Sequence, residues 1–557
     1  MTSTPAGRNF DYVIIGSGSA GSAIAYRLAE AGQARIAVIE FGGSDAGPFI
    51  QMPAALSYPM NMPLYDWGYH AEAENGLNGR SLVCPRGKVI GGSSSVNGMI
   101  YVRGNPLDYD HWCEQGAAGW GYADVLPYFR RMETAHGGQA PWRGTDGPLH
   151  ITRGPRDNPL HEAFVTAATQ AGYAATSDYN GHRQEGFGPA DMTVWRGRRW
   201  SAANAYLKPA LRTGRVKLFT RTLADRILFD GPKAIGVRTT RKSKQMDILA
   251  TKAVILSAGA IASPAILQRS GIGDAELLQQ HGIEVIADRK GVGANLQDHL
   301  EVYLQIACSQ PVTLYKHLNP VSKALIGARW LIFKTGLGAS NQFETLGFVR
   351  SDKGIAYPDI QYHFLPLAIR YDGKVPAAGH GFQVHVGPMR SKSRGYVKIT
   401  SAEAERAPEI KFNYLSHPAD LPDFRKALRL SREILNQPAM AQFYDYEIQP
   451  GAEAQTDAQL DEFIRNKAES AYHPCGTCRL GLETDPLAVV SPDCQVIGTE
   501  NLYCADSSLF PRITNGNLNA PSIMTGEKAA DHILGRTRLP SVNDSPFIHP
   551  QWQTKQR

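Results

Sequence analysis

The sequence lacks the features that would place it within a membrane or outside the cell. Its 557 residues contain no run of eighteen apolar residues, whereas a spanning helix needs about 20, and residues 1–9 are polar, unlike a secretory signal. The net charge is only +6 and 43% of the residues are hydrophobic, so intrinsic disorder is excluded. We expect a cytoplasmic globular protein. Its basic tail, with Arg536, Arg538, Lys555 and Arg557, would allow peripheral contact with the inner face of the cell membrane.

Cysteine is scarce, with seven residues in a long chain, and the number is odd. We therefore expect reduced thiols and no disulfide scaffold. His473, Cys475 and Cys478 lie close together but supply only three candidate ligands, whereas a structural zinc site normally has four. The sequence predicts neither a metal site nor a redox dithiol at this position.

Glycine, in contrast, is abundant, with 55 residues, and one cluster follows an apolar segment. Residues 10–15 are typical of a buried parallel strand, residues 16–21 form a GxGxxG turn, and a helical pattern leads to a second strand at 36–39. Such glycines let backbone amides approach a pyrophosphate, and an acid at the end of the second strand can bind a ribose. The pattern predicts one dinucleotide site without specifying the dinucleotide. Its expected contacts are Gly16, Gly18, Gly21 and Glu40.

The remaining patterns predict an α/β fold with two interleaved domains. Further buried strands are expected at 253–256 and 501–505, whereas 300–460 contains alternating segments and proline-marked turns, typical of an antiparallel sheet. A Rossmann-type nucleotide-binding domain would thus be interleaved with an antiparallel-sheet substrate-binding domain. The expected regions are 8–305 for the nucleotide-binding domain, 306–460 for the substrate-binding sheet, 461–535 for a segment that returns to the first domain with the catalytic residues, and 536–557 for a loose polar tail.

Two longer glycine-rich blocks are not explained by the GxGxxG turn. Residues 86–98 (RGKVIGGSSSVNG) and 259–273 (GAIASPAILQRSGIG) resemble, in the proper order, the two signatures of the glucose-methanol-choline flavoprotein oxidoreductases. The resemblance covers nearly the whole chain, including 472–478 and 517–521. It implies that the dinucleotide is FAD, held without a covalent bond, because Val96 stands where some relatives carry an attaching histidine. Along the cofactor, the resemblance places Gly91, Gly92, Ser93, Asn97, Ala258, Asp506 and Asn519.

The same resemblance assigns the chemistry to one histidine and one asparagine. His473 matches the family's catalytic histidine, and an imidazole suits removal of a hydroxyl proton because its ordinary pKa lies near the working pH. Asn517 matches a position that relatives fill with His or Asn, and its amide can donate a hydrogen bond to the developing alkoxide. We expect His473 to take or share the proton and Asn517 to orient the oxygen. A neutral His473 that acts only electrostatically is the alternative.

Within the family, the resemblance is greatest to members that oxidise choline. A quaternary ammonium has no N–H to donate, so a site recognises it by negative charge and by aromatic faces, with cation–π contacts of about 0.5–2 kcal/mol each. By family position, Glu344 is expected to supply the carboxylate and Tyr472 and Trp67 the aromatic walls, with Tyr362 or Phe364 completing the cage. The alternative is that these aromatics are ordinary core and that Glu344 is a solvated acid.

The predicted function is therefore FAD-dependent oxidation of a primary alcohol by hydride transfer to flavin N5, with choline oxidised to betaine aldehyde for synthesis of the osmoprotectant glycine betaine. No NAD site remains, so the resemblance implies a quinone as electron acceptor, with oxygen as the competitor. The alternatives are another primary alcohol, such as an alkanol, a glycol or an aromatic alcohol, and a non-catalytic nucleotide-binding protein. Three arginines at 196–199 are too few to indicate nucleic-acid binding.

Overall fold

The structure, a computed structural model, describes residues 8–138, 140–370 and 379–557. The strands of its two main sheets are β1 (Asn9–Ile15), β2 (Ile36–Ile39), β3 (Gly186–Pro189), β4 (Val216–Phe219), β5 (Leu223–Asp230), β6 (Lys233–Arg241), β7 (Lys244–Leu256), β8 (Leu300–Cys308), β9 (Thr345–Val349), β10 (Ile360–Leu365), β11 (Gly381–Pro388), β12 (Tyr444–Gln449), β13 (Glu469–Ser470) and β14 (Leu502–Cys504). The longer helices are α1 (Ser19–Glu30), α2 (Pro106–Glu114), α3 (Tyr122–Met132), α4 (Pro159–Gln170), α5 (Gly259–Arg269), α6 (Pro320–Phe333), α7 (Asp420–Leu435), α8 (Asp457–Lys467) and α9 (Asn519–Ile533). Within the described ranges, none of the helices has the length and apolar character needed to cross a membrane.

The first sheet is built around β1 and is parallel in its centre. Its strand order is β4–β2–β1–β7–β6–β5, and β14 pairs with the carboxyl half of β7. Residues Val13 to Ile15 of β1 and all of β2 are almost completely buried. Strands buried on both faces carry continuous apolar runs, so their pattern is visible in a sequence. The strands predicted at 10–15, 36–39, 253–256 and 501–505 are confirmed as β1, β2, the end of β7 and β14.

Helices α1 and α9 pack side by side on this sheet. A Cβ at Gly526 of α9 would lie 2.5 Å from the carbonyl oxygen of Ala20 in α1, so the two helices approach more closely than a side chain allows. The buried side chains of Arg27 and Glu527 form an ion pair of 2.8 Å between the same helices. This packing brings the N-termini of α1 and α9 to the same edge of the sheet.

The second sheet is antiparallel, in the order β12–β8–β11–β10–β9–β3, with β13 beside the start of β8. Successive side chains of a strand point to opposite faces. Phe364 of β10 therefore stacks on Phe164 of α4, with ring centroids 4.6 Å apart, whereas the adjacent His363 faces the first sheet across a cavity. One face of this sheet is core and the other forms a wall of the cavity.

The two sheets are interleaved along the chain. β3 precedes most of the first sheet in sequence but forms an edge of the second, while β14 and α9 return to the first. This confirms the predicted fold class, although the exact domain boundaries stay predictions. The segment 536–557 differs from the expected loose tail because it contacts the body of the protein: Trp552 accepts a hydrogen bond of 2.7 Å from Gly354 N, and Arg557 forms an ion pair with Glu433.

Candidate active site

The cavity between the two sheets begins at the turn from β1 to α1. Gly16 has a φ of +98°, and a Cβ there would lie 2.4 Å from the carbonyl oxygen of Ser257, so this turn requires glycine. Glu40, at the end of β2, accepts hydrogen bonds from Ser17 N at 3.1 Å and Ser17 Oγ at 2.8 Å. These contacts hold its carboxylate at the cavity wall beside the turn.

The block 86–98 folds over this turn. A Cβ at Gly92 would lie 2.7 Å from the Cα of Gly18, so the absence of a side chain at Gly92 lets the two segments meet. Asn97 is held by Arg199, whose Nη1 donates to the Asn97 main-chain oxygen at 2.6 Å and to its Oδ1 at 2.8 Å. Arg199 is completely buried, and this burial lowers its pKa to about 9. This arginine of the 196–199 cluster therefore supports the cavity wall.

The N-terminal ends of α1, α5 and α9 all reach the cavity. Ser19 Oγ donates to Asn519 Oδ1 at 2.9 Å, which joins the starts of α1 and α9, and Asp506 accepts from Gly259 N at 2.8 Å at the start of α5. Helix N-termini carry partial positive charge and unpaired N–H groups, which suit phosphate oxygens and the oxygen edge of a reduced flavin. The glycine turn, the carboxylate at the end of β2 and these helix ends together fit the predicted FAD.

The structure brings most of the predicted cofactor residues together. Those that line the cavity are Gly16, Gly18, Glu40, Gly92, Ser93, Asn97, Ala258, Asp506 and Asn519. Gly21 and Gly91 lie behind the wall, where a Cβ would meet Gly16 O at 2.1 Å and Ser95 Oγ at 2.4 Å, respectively. These two glycines therefore permit the close packing of the turns and do not themselves line the cavity.

His473 and Asn517 meet in the wall of the same cavity. The loop after β13 carries His473, the loop before α9 carries Asn517, and Asn517 Nδ2 lies 3.1 Å from His473 Nε2. On its other side, Asn517 Oδ1 lies 3.2 Å from Gln361 Nε2 and 3.4 Å from His363 Nε2. The two side chains singled out for the chemistry thus form one hydrogen-bonded pair in the cavity wall.

The histidines in this region are neutral because they are shielded from water. Burial lowers the pKa of His473 well below its ordinary value, and the neighbouring His299, His363 and Arg86 lower it further. Burial also lowers the pKa values of His299 and His363 to about 4. At neutral pH, His473 is therefore unprotonated.

A chain of hydrogen bonds indicates which nitrogen of His473 accepts it. His299 Nε2 lies 3.0 Å from the carbonyl oxygen of Met389, which can only accept, so the proton of neutral His299 is on Nε2. His299 Nδ1 is then the acceptor in its 3.0 Å contact with His473 Nδ1, which must carry the proton of neutral His473. The unprotonated Nε2 of His473 consequently faces Asn517 and the cavity.

Asp298 fixes the backbone that carries both histidines. Its Oδ1 accepts hydrogen bonds from the main-chain N of His473 at 2.7 Å and of His299 at 2.9 Å. Its Oδ2 accepts from Tyr414 Oη at 2.6 Å and from Ser470 Oγ at 2.5 Å. The carboxylate thereby joins three distant segments of the chain beneath the His473–Asn517 pair.

Two predicted aromatic residues also line the cavity. Trp67 stacks on Tyr69, with ring centroids 5.7 Å apart and an angle of 4° between the planes. Tyr472 has a φ of +63°, a strained conformation for a bulky residue, and Arg86 Nη2 donates to its carbonyl oxygen at 2.7 Å. Arg86 thus holds the aromatic residue directly before His473 in place.

Glu344, which was expected to supply the carboxylate of the substrate site, does not lie in the cavity lining. The carboxylate accepts hydrogen bonds from Ser340 Oγ and from Arg156 N, the latter at 2.7 Å, and lies 3.8 Å from His161 Nε2. It is also only 4% exposed, so it is not the solvated acid of the alternative interpretation. Burial raises its pKa.

Tyr362 and Phe364 are also placed outside the cavity, on the core face of β10. Tyr362 packs against Phe187, with ring centroids 5.3 Å apart, and Phe364 against Phe164. Positions two apart on a strand share a face, so both residues turn away together, whereas His363 between them faces the cavity. Of the aromatic residues expected to form the cage, Tyr472 and Trp67 line the cavity and Tyr362 and Phe364 do not.

The cavity wall also contains residues that the sequence analysis did not select: Glu301 of β8, Phe343, His363 of β10 and His385 of β11. His385 Nε2 lies 2.6 Å from Gln383 Nε2, an amide nitrogen that can only donate, so His385 Nε2 is the acceptor in this contact and Nδ1 carries a proton. Nδ1 lies 2.9 Å from Glu301 Oε1 and donates to it. The sequence signal was the alternation of polar with aromatic residues along β10 and of polar with apolar residues along β11.

The cysteines near His473 take no visible part in this arrangement. Cys475 and Cys478 are buried free thiols, and burial raises the pKa of Cys475 well above its ordinary value. Across residues 8–138, 140–370 and 379–557, no group of three or more His, Cys, Asp or Glu side chains could hold a metal ion.

Comparison with known proteins gives a consistent result. Family models described as GMC oxidoreductase match residues 10–301 and 391–526. The oxygen-dependent choline dehydrogenase of Brucella suis biovar 1 (strain 1330) is 61% identical over 547 residues, covering 98% of this chain and 100% of that protein. Among solved structures, pyridoxine 4-oxidase from Mesorbium loti has a TM-score of 0.86 and 31% identity, covering 95% and 99% of the two chains. A variant of Aspergillus oryzae RIB40 formate oxidase, solved to study FAD modification, has a TM-score of 0.89 and 25% identity, covering 95% and 98%. These matches confirm the resemblance, and the chain belongs to the GMC oxidoreductase family.

Proposed function

We propose that this protein is an FAD-dependent dehydrogenase that oxidises choline to betaine aldehyde. The observation that carries the proposal is the pairing of His473 Nε2 with Asn517 Nδ2 in the wall of a cavity that suits a dinucleotide. The name of a relative that is 61% identical over nearly the full length supports choline as the substrate.

The cofactor is held by the glycine turn at 16–18, by Glu40 on the adenosine side and by the N-terminal ends of α1 and α9. When bound, FAD supplies a two-electron oxidant that accepts a hydride from the alcohol carbon. Val96 lies in the cavity wall and offers no nucleophile for a covalent bond to the flavin, so the cofactor is dissociable.

The chain's own contribution to the reaction is to hold the hydroxyl and to take its proton. Asn517 Nδ2 donates a hydrogen bond to the substrate oxygen, and His473 Nε2 accepts the hydroxyl proton as the oxygen becomes a carbonyl. Because His473 Nδ1 donates to His299, the imidazolium that forms keeps this hydrogen bond. The low pKa of His473 gives a base that is unprotonated before the substrate arrives.

The trimethylammonium group of choline is bound by Glu301, in place of the expected Glu344, and by the rings of Tyr472 and Trp67. Glu301 is buried and lines the cavity on the same wall as His363 and His385. Each cation–π contact contributes about 0.5–2 kcal/mol, and the carboxylate adds an attraction that a neutral alcohol cannot gain.

We further propose a quinone as the acceptor of the electrons. The chain has a single complete GxGxxG turn, which FAD occupies, so no second dinucleotide site is indicated for NAD. The competing acceptor is oxygen, the one specified in the name of the Brucella relative. Turnover with a soluble quinone in the absence of air, compared with hydrogen peroxide formation in air, decides between them.

The function is tested by anaerobic mixing of the purified holoenzyme with a panel of primary alcohols. Choline should bleach the visible flavin bands faster than its neutral isostere, in which carbon replaces the ammonium nitrogen. If no alcohol bleaches the flavin, the protein is not a dehydrogenase of this class. If the neutral isostere reacts as fast as choline, the substrate is another primary alcohol.

A further inference from the structure

Helix α6 turns an apolar stripe toward solvent. The stripe consists of Val321, Ala324, Leu325, Ala328, Leu331 and Ile332. Its members recur at spacings of three, four and seven positions, so they lie on one side of a helix about 21 Å long. The four larger side chains, and Phe333 beside them, are between 58% and 71% exposed. The solvent side of a helix in a globular protein is normally polar, so this face is suited to contact something apolar.

The helix itself is well anchored, so the exposure does not arise from a frayed element. Asn319 caps its start by accepting from Ser322 N at 2.9 Å, with Pro320 in the first turn. On the side opposite the stripe, Trp330 is buried and its Nε1 donates to Gly197 O at 2.6 Å. The apolar stripe is therefore held in a fixed orientation.

The surroundings of the stripe are basic. No Asp or Glu occurs between residues 302 and 343, whereas the segment contains Lys316, Lys323, Arg329 and Lys334. Gly197, which receives the hydrogen bond from Trp330, lies between the exposed Arg196 and Arg198. An apolar helix face with basic residues around it and no nearby acid in sequence complements an anionic lipid surface.

Two alternatives fit less well: a second copy of the chain as the partner of the stripe, and the C-terminal tail as the membrane-binding segment. If a second copy of the chain covered the stripe symmetrically, the basic flanks of α6 would face each other. The sequence analysis expected the basic tail to contact the membrane. In the structure, however, its arginines form ion pairs with carboxylates: Arg536 with Asp531, Arg538 with Asp493 and Arg557 with Glu433.

The stripe is also close to the cavity. The turn Leu337–Ala339, which follows α6, packs against the turn Pro53–Ala55. The next residues along that loop include Leu56 and Met60, which line the cavity, and the exposed Tyr58 and Leu64. We propose that α6 docks the protein on an anionic bilayer, which places the membrane surface beside the loop that borders the cavity.

The test measures flotation of the purified holoenzyme with vesicles, without substrate, so its outcome is independent of the proposed reaction. Wild type should float with vesicles of phosphatidylglycerol and phosphatidylcholine in equal parts, and added salt should weaken binding. The double substitution L325E/I332E should reduce binding at least about tenfold, since it puts two charges on the buried face of the contact. The control is L482E, which charges a leucine that is 53% exposed beside Gly116.

Visible flavin absorbance and the thermal melting temperature show whether each variant is folded. Binding lost in L325E/I332E and retained in L482E supports the proposal. The proposal is overturned if wild type does not float, if it floats equally with pure phosphatidylcholine in high salt, or if L325E/I332E floats like wild type. It is also overturned if the double substitution abolishes a dimer in sedimentation analysis and wild type does not bind vesicles.

Discussion

Replacement of Glu301 with Gln tests how the cavity selects a cation. Glu301 is buried, lines the cavity and accepts from His385 Nδ1 at 2.9 Å, and glutamine keeps the size and this acceptor while removing the charge. At a separation of about 5 Å and an effective dielectric constant of about 20, a carboxylate and an ammonium attract by about 3 kcal/mol. Since about 1.4 kcal/mol corresponds to a factor of ten, kcat/KM for choline should fall by roughly 100-fold.

The assay compares choline with its neutral isostere in the wild type, E301Q and the matched variant E344Q. The isostere should lose less than about threefold in E301Q, because it gains no charge attraction from the carboxylate. E344Q should change both substrates equally, since the structure places this carboxylate with Ser340 and Arg156, outside the cavity. A large loss with choline in E344Q and none in E301Q would refute the assignment of Glu301 and restore the position predicted from sequence.

Three further outcomes are expected. In D298N, an amide NH2 replaces one carboxylate oxygen, and the two buried donors that face this oxygen lose their acceptor. Each unsatisfied donor costs about 1–3 kcal/mol, so kcat should fall at least about 10-fold with the flavin spectrum retained, and an unchanged kcat would contradict the positioning role. Acid precipitation should leave the pellet colourless and the supernatant yellow, because Val96 cannot bind FAD covalently; a yellow pellet argues against this. The free energy of unfolding should fall by about 3 kcal/mol for each of His299 and His363 as the pH decreases from about 6.5 to about 4. In this range the two histidines are protonated in the unfolded chain, whereas burial keeps them neutral in the folded protein. Denaturant titrations at several pH values measure this loss, and equal stability at pH 7 and pH 4.5 would contradict it.

The sequence predicts the first sheet well because its signals are local. The strands β1 and β2, the turn at 16–21 and Glu40 lie within thirty-two residues, and each step of the argument uses neighbours in the chain. His473 and Asn517 were found by resemblance, and no local rule would have paired them. The structure brings them within 3.1 Å through the return of the C-terminal segment to the first sheet.

The residues predicted to bind the substrate were placed less accurately than those of the first sheet, because the position of a residue in a family motif does not specify which face of a strand it occupies. Tyr362 and Phe364 were selected for being aromatic, although His363, the polar residue between them, is the one that lines the cavity. The alternation Gln361, Tyr362, His363, Phe364 contains this information. If the aromatic residues occupy the core face of a buried antiparallel strand, the polar ones must face a site where they find partners.

The same reasoning applies to the whole second sheet and explains why its cavity face carries buried polar side chains that are hydrogen-bonded to one another. Glu301, His363, Gln383 and His385 are all buried, and burial of so many polar groups is tolerated only when they are hydrogen-bonded. His385 bonds Glu301 and Gln383, and its cross-strand partner His363 lies 3.4 Å from Asn517 Oδ1, so polar groups extend along this wall from the carboxylate to the His473–Asn517 pair. A ligand that presents a cation to Glu301 and a hydroxyl to Asn517 complements both ends of this wall. The distance between charge and hydroxyl then selects the alcohol, and a short amino alcohol such as choline has both groups two carbons apart.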